Sequence, residues 1–277
     1  LHIGGVGKWE AKLKRDPSAQ APAGGVSGSA SDLAQWVRLE LANGKLDGKQ
    51  IISEEALAPT HVPLMSRGNN PVTGAASFYG LGWNVEFGRY GLSWGHAGAF
   101  SVGGRTLVTL YPEQQLGILV LSNAFPTGVP EGLADSFADL VFKGSVEKDW
   151  TSDWNAIYGS LFGPAIEAAK AAFGTKPSPA TPPLPAEAYV GSYVNEYVGA
   201  GTVAANGDRL TLAVGPEGKT VYPMTHFDRD LFLIYPDPEM ADTPSPVTFA
   251  IGPDGKATAI TIENLNGNGL GVLTRTN

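Results

Sequence analysis

Residues 78–122 constrain the fold more than any other part of this chain. They hold four strand-like runs in succession, "FYGLGWNVEF", "YGLSWGHAG", "SVGGRTLVTLYP" and "QLGILVLSN", with short polar turns between them. Apolar residues in short runs, bounded by Gly, Pro, Asn and Ser, read as strands. Consecutive strands joined by short turns pair antiparallel, because a parallel pair needs a long crossover. An antiparallel meander is therefore expected here.

Helical patterns flank it. "SGSASDLAQWVRLELANGK" predicts a helix from about Ser31 to Asn43, capped by Ser29 or Ser31 and stopped at Gly44, with Leu33, Trp36, Val37 and Leu41 on one face. Ser53 followed by Glu54 and Glu55 marks a second helix start, ended by Pro59, and a loop is expected from there to about Gly74. "GVPEGLADSFADLVFK" has helical period, with Leu133, Phe137, Leu140 and Val141 on one side. "WNAIYGSLFGPAIEAAKAAFG" is also helical, with an interruption expected at Gly163-Pro164. The fold class is α+β: an antiparallel sheet with packed helices, followed by a small β-barrel.

The barrel is expected beyond a proline-dense stretch. "GTKPSPATPPLPAE" is stiff and offers little to bury, so residues 176–185 read as a linker between a domain at 1–175 and another at 186–277. A length of 277 residues also suits two domains. After the linker come seven short runs, from "YVGSYVNEY" to "ATAITIEN", with turn pairs such as Asn206-Gly207 and Asp254-Gly255. Their regular spacing suggests a closed or nearly closed barrel.

Three of the quoted stretches carry a resemblance. "PAGGVSGSASDLAQW", "FYGLGW" and "WGHAGAFSVGG" followed by "YPEQQLGILVLSN" resemble, in order and spacing, the signatures of the serine β-lactamase-like hydrolases. These include class C β-lactamases, family VIII esterases, D-aminopeptidases and penicillin-binding-protein-like enzymes. The resemblance spans about residues 20–145 and corresponds to the C-terminal part of such a hydrolase, an incomplete β-lactamase/transpeptidase-like fold. "LPAEAYVGSYVNEYVGAGTVAANGDRLTL" resembles the lipocalin-like barrel often appended to these enzymes. In such enzymes a Ser-x-x-Lys pair supplies nucleophile and base, a Tyr-x-Asn assists proton transfer, and a third box closes the site. His96-Ala97-Gly98 fits the third box in its His-x-Gly form, which leans toward esterase or peptidase activity.

The resemblance implies three site residues. His96 serves as a hydrogen-bond donor or local cation, and an imidazole can do either near neutral pH. Gly98 leaves room for a substrate lying along the strand. Ala99 offers its backbone N–H to an oxyanion hole, where one preorganised donor is worth about 3 kcal/mol. No Ser-x-x-Lys precedes His96. "SVEK", Ser145 to Lys148, follows a helix in a charged loop, and "YVN", Tyr193 to Asn195, falls in the barrel's first strand, so neither is taken as the missing motif. The nucleophile half is accordingly expected on a preceding segment, either of one longer product or of a separate associated chain. The start, "LHIGGVGKWEAK", has neither an initiator methionine nor a basic-then-apolar signal, in keeping with that expectation.

Other chemistries find little support. His2, His61 and His226 lack partners at ligand spacing, so no metal and no cofactor are expected. "GGVSGSAS" lacks the register of a nucleophile elbow, and "GVGK" lacks P-loop spacing. Gly103-Gly104 suits a strand bend, and Trp36, Trp83 and Trp94 suit core and cleft wall. A net charge of −8 argues against a nucleic-acid partner, and no apolar run is long enough for a membrane span. With no cysteine the compartment is open, a bacterial periplasmic or secreted location being favoured over a cytoplasmic one. The expected function is part of a serine hydrolase acting on a small-molecule ester, amide or β-lactam through an acyl-enzyme. The alternative is a noncatalytic β-rich binding module derived from that fold, whose barrel carries a small apolar ligand or limits access to the cleft.

Overall fold

The computed structural model describes residues 1–3, 8–11, 14, 16–100, 103–207, 209–237 and 243–276. Most of the "GVGK" stretch lies outside them. The chain divides into two compact units, Leu1–Gly163 and Pro164–Asn277.

The first unit is built on an antiparallel meander of six strands: β1 (Met65–Asn69), β2 (Ala76–Tyr79), β3 (Asn84–Gly88), β4 (Gly91–Phe100), β5 (Gly104–Tyr111) and β6 (Leu116–Ser122), lying in the order β6-β5-β4-β3-β2-β1. "FYGLGWNVEF" is thus two strands, because Gly80–Trp83 turns the chain back and Gly82 takes a positive φ of 87°. The expected loop before Gly74 contains β1, an edge strand whose residues are all exposed. "MSRGN" gives no apolar alternation by which to find it. Gly103, also at positive φ, belongs to the turn between β4 and β5.

Helix α1 (Ala30–Leu41) packs on one face of this sheet. Ser29 and Asp32 form a capping box: the Ser29 hydroxyl accepts from Asp32 N–H at 3.2 Å, and Asp32 accepts from Ser29 N–H at 3.1 Å. Val37 and Leu41 meet Val85, Val108, Leu110 and Trp83 in a core cluster. Gly117 on β6 permits this approach, since a Cβ there would stand 2.5 Å from Val37 Cγ1. Ser53 caps α2 (Glu54–Leu57), and a 3-10 turn continues through Pro59 to His61.

Helix α3 (Val129–Lys143) covers part of the opposite face, near β5 and β6. Its inward residues are Glu131, Ala134 and Ala138, whereas Leu133, Leu140 and Val141 of the apolar side read from the sequence are 51%, 52% and 50% exposed. Periodicity locates an apolar stripe but not what lies opposite it. Asp139 is fully buried and binds this unit together. It accepts from Arg89 Nη2 at 2.8 Å, Tyr90 OH at 2.7 Å, Glu147 N at 2.8 Å and Trp150 Nε1 at 2.7 Å. Helix α4 (Trp150–Phe173) runs through Gly163 and Pro164 without the expected interruption. Proline forfeits one backbone hydrogen bond there but does not end the helix.

The second unit is a closed eight-stranded antiparallel barrel. Its strands are β7 (Gly191–Asn195), β8 (Gly199–Asn206), β9 (Arg209–Val214), β10 (Thr220–Asp228), β11 (Leu231–Ile234), β12 (Ser245–Ile251), β13 (Ala257–Ile262) and β14 (Val272–Arg275). Each strand pairs with the next, and β7 closes on β14 through Tyr193 and Arg275. The sequence showed seven of these strands. "VLTR" is too short, behind "NGNGLG", to display alternation. Tyr189, Tyr193, Leu212, Ile234, Ile260, Ile262 and Leu273 are fully buried and fill the interior. Each such side chain contributes roughly 1.5–3 kcal/mol. The proline-rich stretch is tied to this unit: Thr181 N donates to Asp228 Oδ1 at 2.6 Å and Arg229 N to Thr181 O at 2.9 Å.

Candidate functional site

The meander's register creates the site. The pairing of β3 with β4 stops at Asn84 and Gly95, while β4 continues to Phe100 beside β5. Residues 96–100 therefore overhang β3. The two-residue turn Arg89–Tyr90 makes Gly88 and Gly91 a hydrogen-bonded pair, and alternation from it turns the N–H and C=O of Gly95, then Ala97 and Ala99, toward the β3 side. At Ala97 and Ala99 no strand of the described residues occupies that side. His96, Gly98 and Ala99 are all exposed on this overhang. Gly98 stands opposite Thr106, and a Cβ there would approach Thr106 Oγ1 to 3.2 Å.

His96 is one of the residues lining an open trough of about 780 Å³ on this unit. Its Nε2 is 3.0 Å from the phenol oxygen of Tyr79, with the two rings nearly edge to face, 63° between planes. Arg67 places its guanidinium 5.8 Å from the Tyr79 ring centroid and donates to Asn84 Oδ1 at 2.6 Å. Sequence reasoning quoted Tyr79 within "FYGLGW" but assigned it no role, and it passed over Arg67 within the supposed loop. Only the strand register brings these residues to His96.

Buried charges also line the trough. Arg105 Nε donates to Glu131 Oε1 at 2.8 Å, and Arg105 Nη2 contacts both Glu131 and the Tyr158 hydroxyl. Burial, then the Glu131 charge, pushes the Tyr158 phenol well above its ordinary range. Burial also raises Asp135, against the opposing effects of a 2.8 Å hydrogen bond from Trp154 Nε1 and of nearby Arg89. The trough's serines, Ser77 and Ser93, have no lysine among its lining residues.

The other sequence candidates fall elsewhere. Ser145 and Lys148 are exposed, and Lys148 pairs with Asp153 at 2.6 Å. Tyr193 is buried in the barrel, its OH donating to Tyr189 O at 2.6 Å, and Asn195 Nδ2 donates to Leu270 O and Val272 O. Both rejected motifs are thus occupied structurally. His61 is buried, stacked on Trp94 with centroids 3.7 Å apart, and its Nε2 faces Glu40 Oε2 at 3.3 Å. Glu40 lies 21 positions away, so linear spacing concealed this pair. Among the described residues no cluster of three or more His, Cys, Asp or Glu could hold a metal, and no helix is long and apolar enough to cross a membrane.

Residues 3–142 match the family described as Beta-lactamase, half of the chain and most of the first unit. The chain belongs to the beta-lactamase family. Its barrel region, residues 175–270, matches a domain of unknown function, DUF3471. No curated protein matches this member. Among solved structures, the C-terminal domain of penicillin binding protein Rv0907 is 31% identical, covering 36% of this chain and 94% of that one, with a TM-score of 0.32. SurE is 19% identical, covering 99% of this chain and 55% of that one, with a TM-score of 0.38. SurE with D-Leu is 20% identical, covering 90% of this chain and 50% of that one, at 0.32. This beta-lactamase-family chain spans about half the length of both SurE structures.

Proposed function

We propose that this chain is the C-terminal part of a serine hydrolase acting on an ester, amide or β-lactam through an acyl-enzyme, with its serine and lysine supplied by a segment outside these residues. The observation that carries the reading is the overhang of β4. It presents an imidazole and backbone N–H groups beside an unoccupied strand edge, at a trough lined by no lysine.

The chemistry follows from those groups. A serine oxygen brought to the overhang attacks the substrate carbonyl, and the carbonyl oxygen takes on negative charge. The Ala99 N–H, fixed by the β4–β5 pairing, donates to that oxygen without reorganising. His96 donates to the same region or to the departing group. Expulsion of the alcohol, amine or lactam nitrogen leaves the acyl-serine, which water hydrolyses.

Two further surfaces support a missing complement. The outer edge of β6, "LGILVLS", has no partner strand among the described residues. The apolar stripe of α3 is also uncovered. An open apolar edge and an exposed apolar helix face are surfaces that folded proteins ordinarily pair or cover.

The test is to purify the native protein, weigh it, identify any companion polypeptide, and treat both forms with a serine-reactive fluorophosphonate. The complete assembly should be labelled on the companion's serine, and this chain alone should remain unlabelled. A stable native monomer of this chain that resists labelling would favour the noncatalytic module. Labelling on one of this chain's own serines would sink the division of the site between two segments.

A further inference from the structure

We propose that Tyr79 is the positioning residue of His96: its phenol donates to Nε2, which keeps the imidazole proton on Nδ1 and presents that N–H to the acyl site. The catalytic consequence rests on the hydrolase reading above, whereas the hydrogen bond and tautomer do not.

The strand register sets the geometry. Tyr79 pairs with Asn84, and Asn84 pairs with Gly95, so Tyr79 lies two strands across from the residue before His96. Because β3 begins at Asn84, the His96 ring meets the Tyr79 hydroxyl around that strand's end, at 3.0 Å. The backbone of Tyr79 is held on both sides: its carbonyl accepts from Leu64 N at 3.1 Å, and Gly80 N donates to Trp83 O at 2.7 Å. The phenol therefore meets His96 from a fixed strand and not from a loose loop.

The direction of the bond follows from the two groups. A phenol is the better acid, and an unprotonated imidazole nitrogen is the better base. Phenol O–H to bare nitrogen is therefore the stronger arrangement, and the reverse asks a weak acceptor to take a weak donor's proton. Arg67 reinforces it, since a cation near the ring face draws electron density from the phenol and sharpens its O–H as a donor. Asn84 Oδ1 holds Arg67 in place at 2.6 Å. With Nε2 engaged, Nδ1 carries the remaining proton. A histidine's working nitrogen is commonly set in this way by the hydrogen bond its other nitrogen makes.

The experiment uses the full 277-residue chain with ring-nitrogen-labelled histidine, observed by NMR at mildly alkaline pH, where imidazoles are neutral. The four histidines are distinguished by the signal lost in His96→Gln. His96 should show a bare Nε2 and a proton-bearing Nδ1, and Tyr79→Phe should move the proton toward Nε2, the form an unconstrained neutral histidine side chain prefers. A wild-type His96 protonated on Nε2 overturns the proposal, as does a tautomer unmoved by Tyr79→Phe. The wild-type spectrum needs no variant, so refutation is open even where Tyr79→Phe fails to fold. In an assembly shown to react with fluorophosphonate but kept free of the probe, Tyr79→Phe should lower kcat about 10-fold with KM unchanged, the mark of lost orientation and not lost binding. An unmoved kcat in a competent assembly refutes the positioning role. An assembly that never reacts with fluorophosphonate refutes the hydrolase reading and leaves the tautomer result standing.

Discussion

The two units treat their edges and interiors in opposite ways. In the barrel every strand has two neighbours, and its interior is apolar apart from tyrosines. The sheet unit leaves the outer edges of β6 and β1 and the β3-facing edge at the end of β4 without a partner strand among the described residues. Buried polar residues divide the same way: among the described residues Glu40, His61, Ser77, Thr127, Glu131 and Asp139 belong to the sheet unit, and Ser245 alone to the barrel. A buried charge is expensive unless partnered, and an open edge invites association. A unit that accepts both costs is organised around something besides its own stability, whereas the barrel is organised around closure.

Stability measurements can break that comparison, because the reporters are segregated. All six tryptophans lie before Gly163, so tryptophan fluorescence follows the sheet unit, while tyrosine and far-ultraviolet signals include the barrel. The largest loss is expected from Asp139→Ala. It leaves Arg89 without its closest carboxylate and three further donors without an acceptor, costing about 3–5 kcal/mol in the tryptophan-reported urea transition. Leu212→Ala should cost somewhat less, about 2–5 kcal/mol and nearer the lower end if the barrel relaxes around the cavity, and should leave the tryptophan transition in place. One coincident transition that moves equally with both variants would show that the two units unfold together, and the contrast would fail.

The barrel was the more legible unit because closure needs only local information. Strand alternation, Asn206-Gly207 and Asp254-Gly255 were all visible in sequence, and Gly207 and Gly255 do take positive φ. The meander was legible for the same reason, as was α1 with its Ser29 cap. What could not be read depends on which surfaces meet. The α3 stripe shows period without showing its opposite face, so the sequence placed Leu133, Leu140 and Val141 on one side without telling that this side is exposed. At the site, His96-Ala97-Gly98 was found from family signatures, but Tyr79 and Arg67 reach His96 only through the β1–β4 register. His61 and Glu40 likewise meet only because α1 and the turn after α2 converge on Trp94.

Asp135 offers the smallest and most discriminating effect. Burial raises its carboxyl above the ordinary aspartate value, so the folded state binds its proton more tightly than the unfolded state does. That preference favours the folded state fully below the unfolded value and is lost as pH rises through the raised folded value. Asn at this position imitates the protonated acid, and its side-chain oxygen still accepts from Trp154 Nε1. Asp135→Asn should therefore raise the tryptophan-reported midpoint at neutral pH and leave it nearly unchanged in acid below the ordinary aspartate range. Arg89, 3.6 Å from Asp135, opposes this gain, but it keeps Asp139 at 2.8 Å. A lower midpoint at neutral pH would mean that attraction to Arg89 outweighs burial, and that the trough's charges stabilise the sheet unit instead of straining it. The barrel midpoint should not respond in either case, because its burial-raised groups are tyrosines, with Tyr189 pushed up to about 12, beyond both conditions.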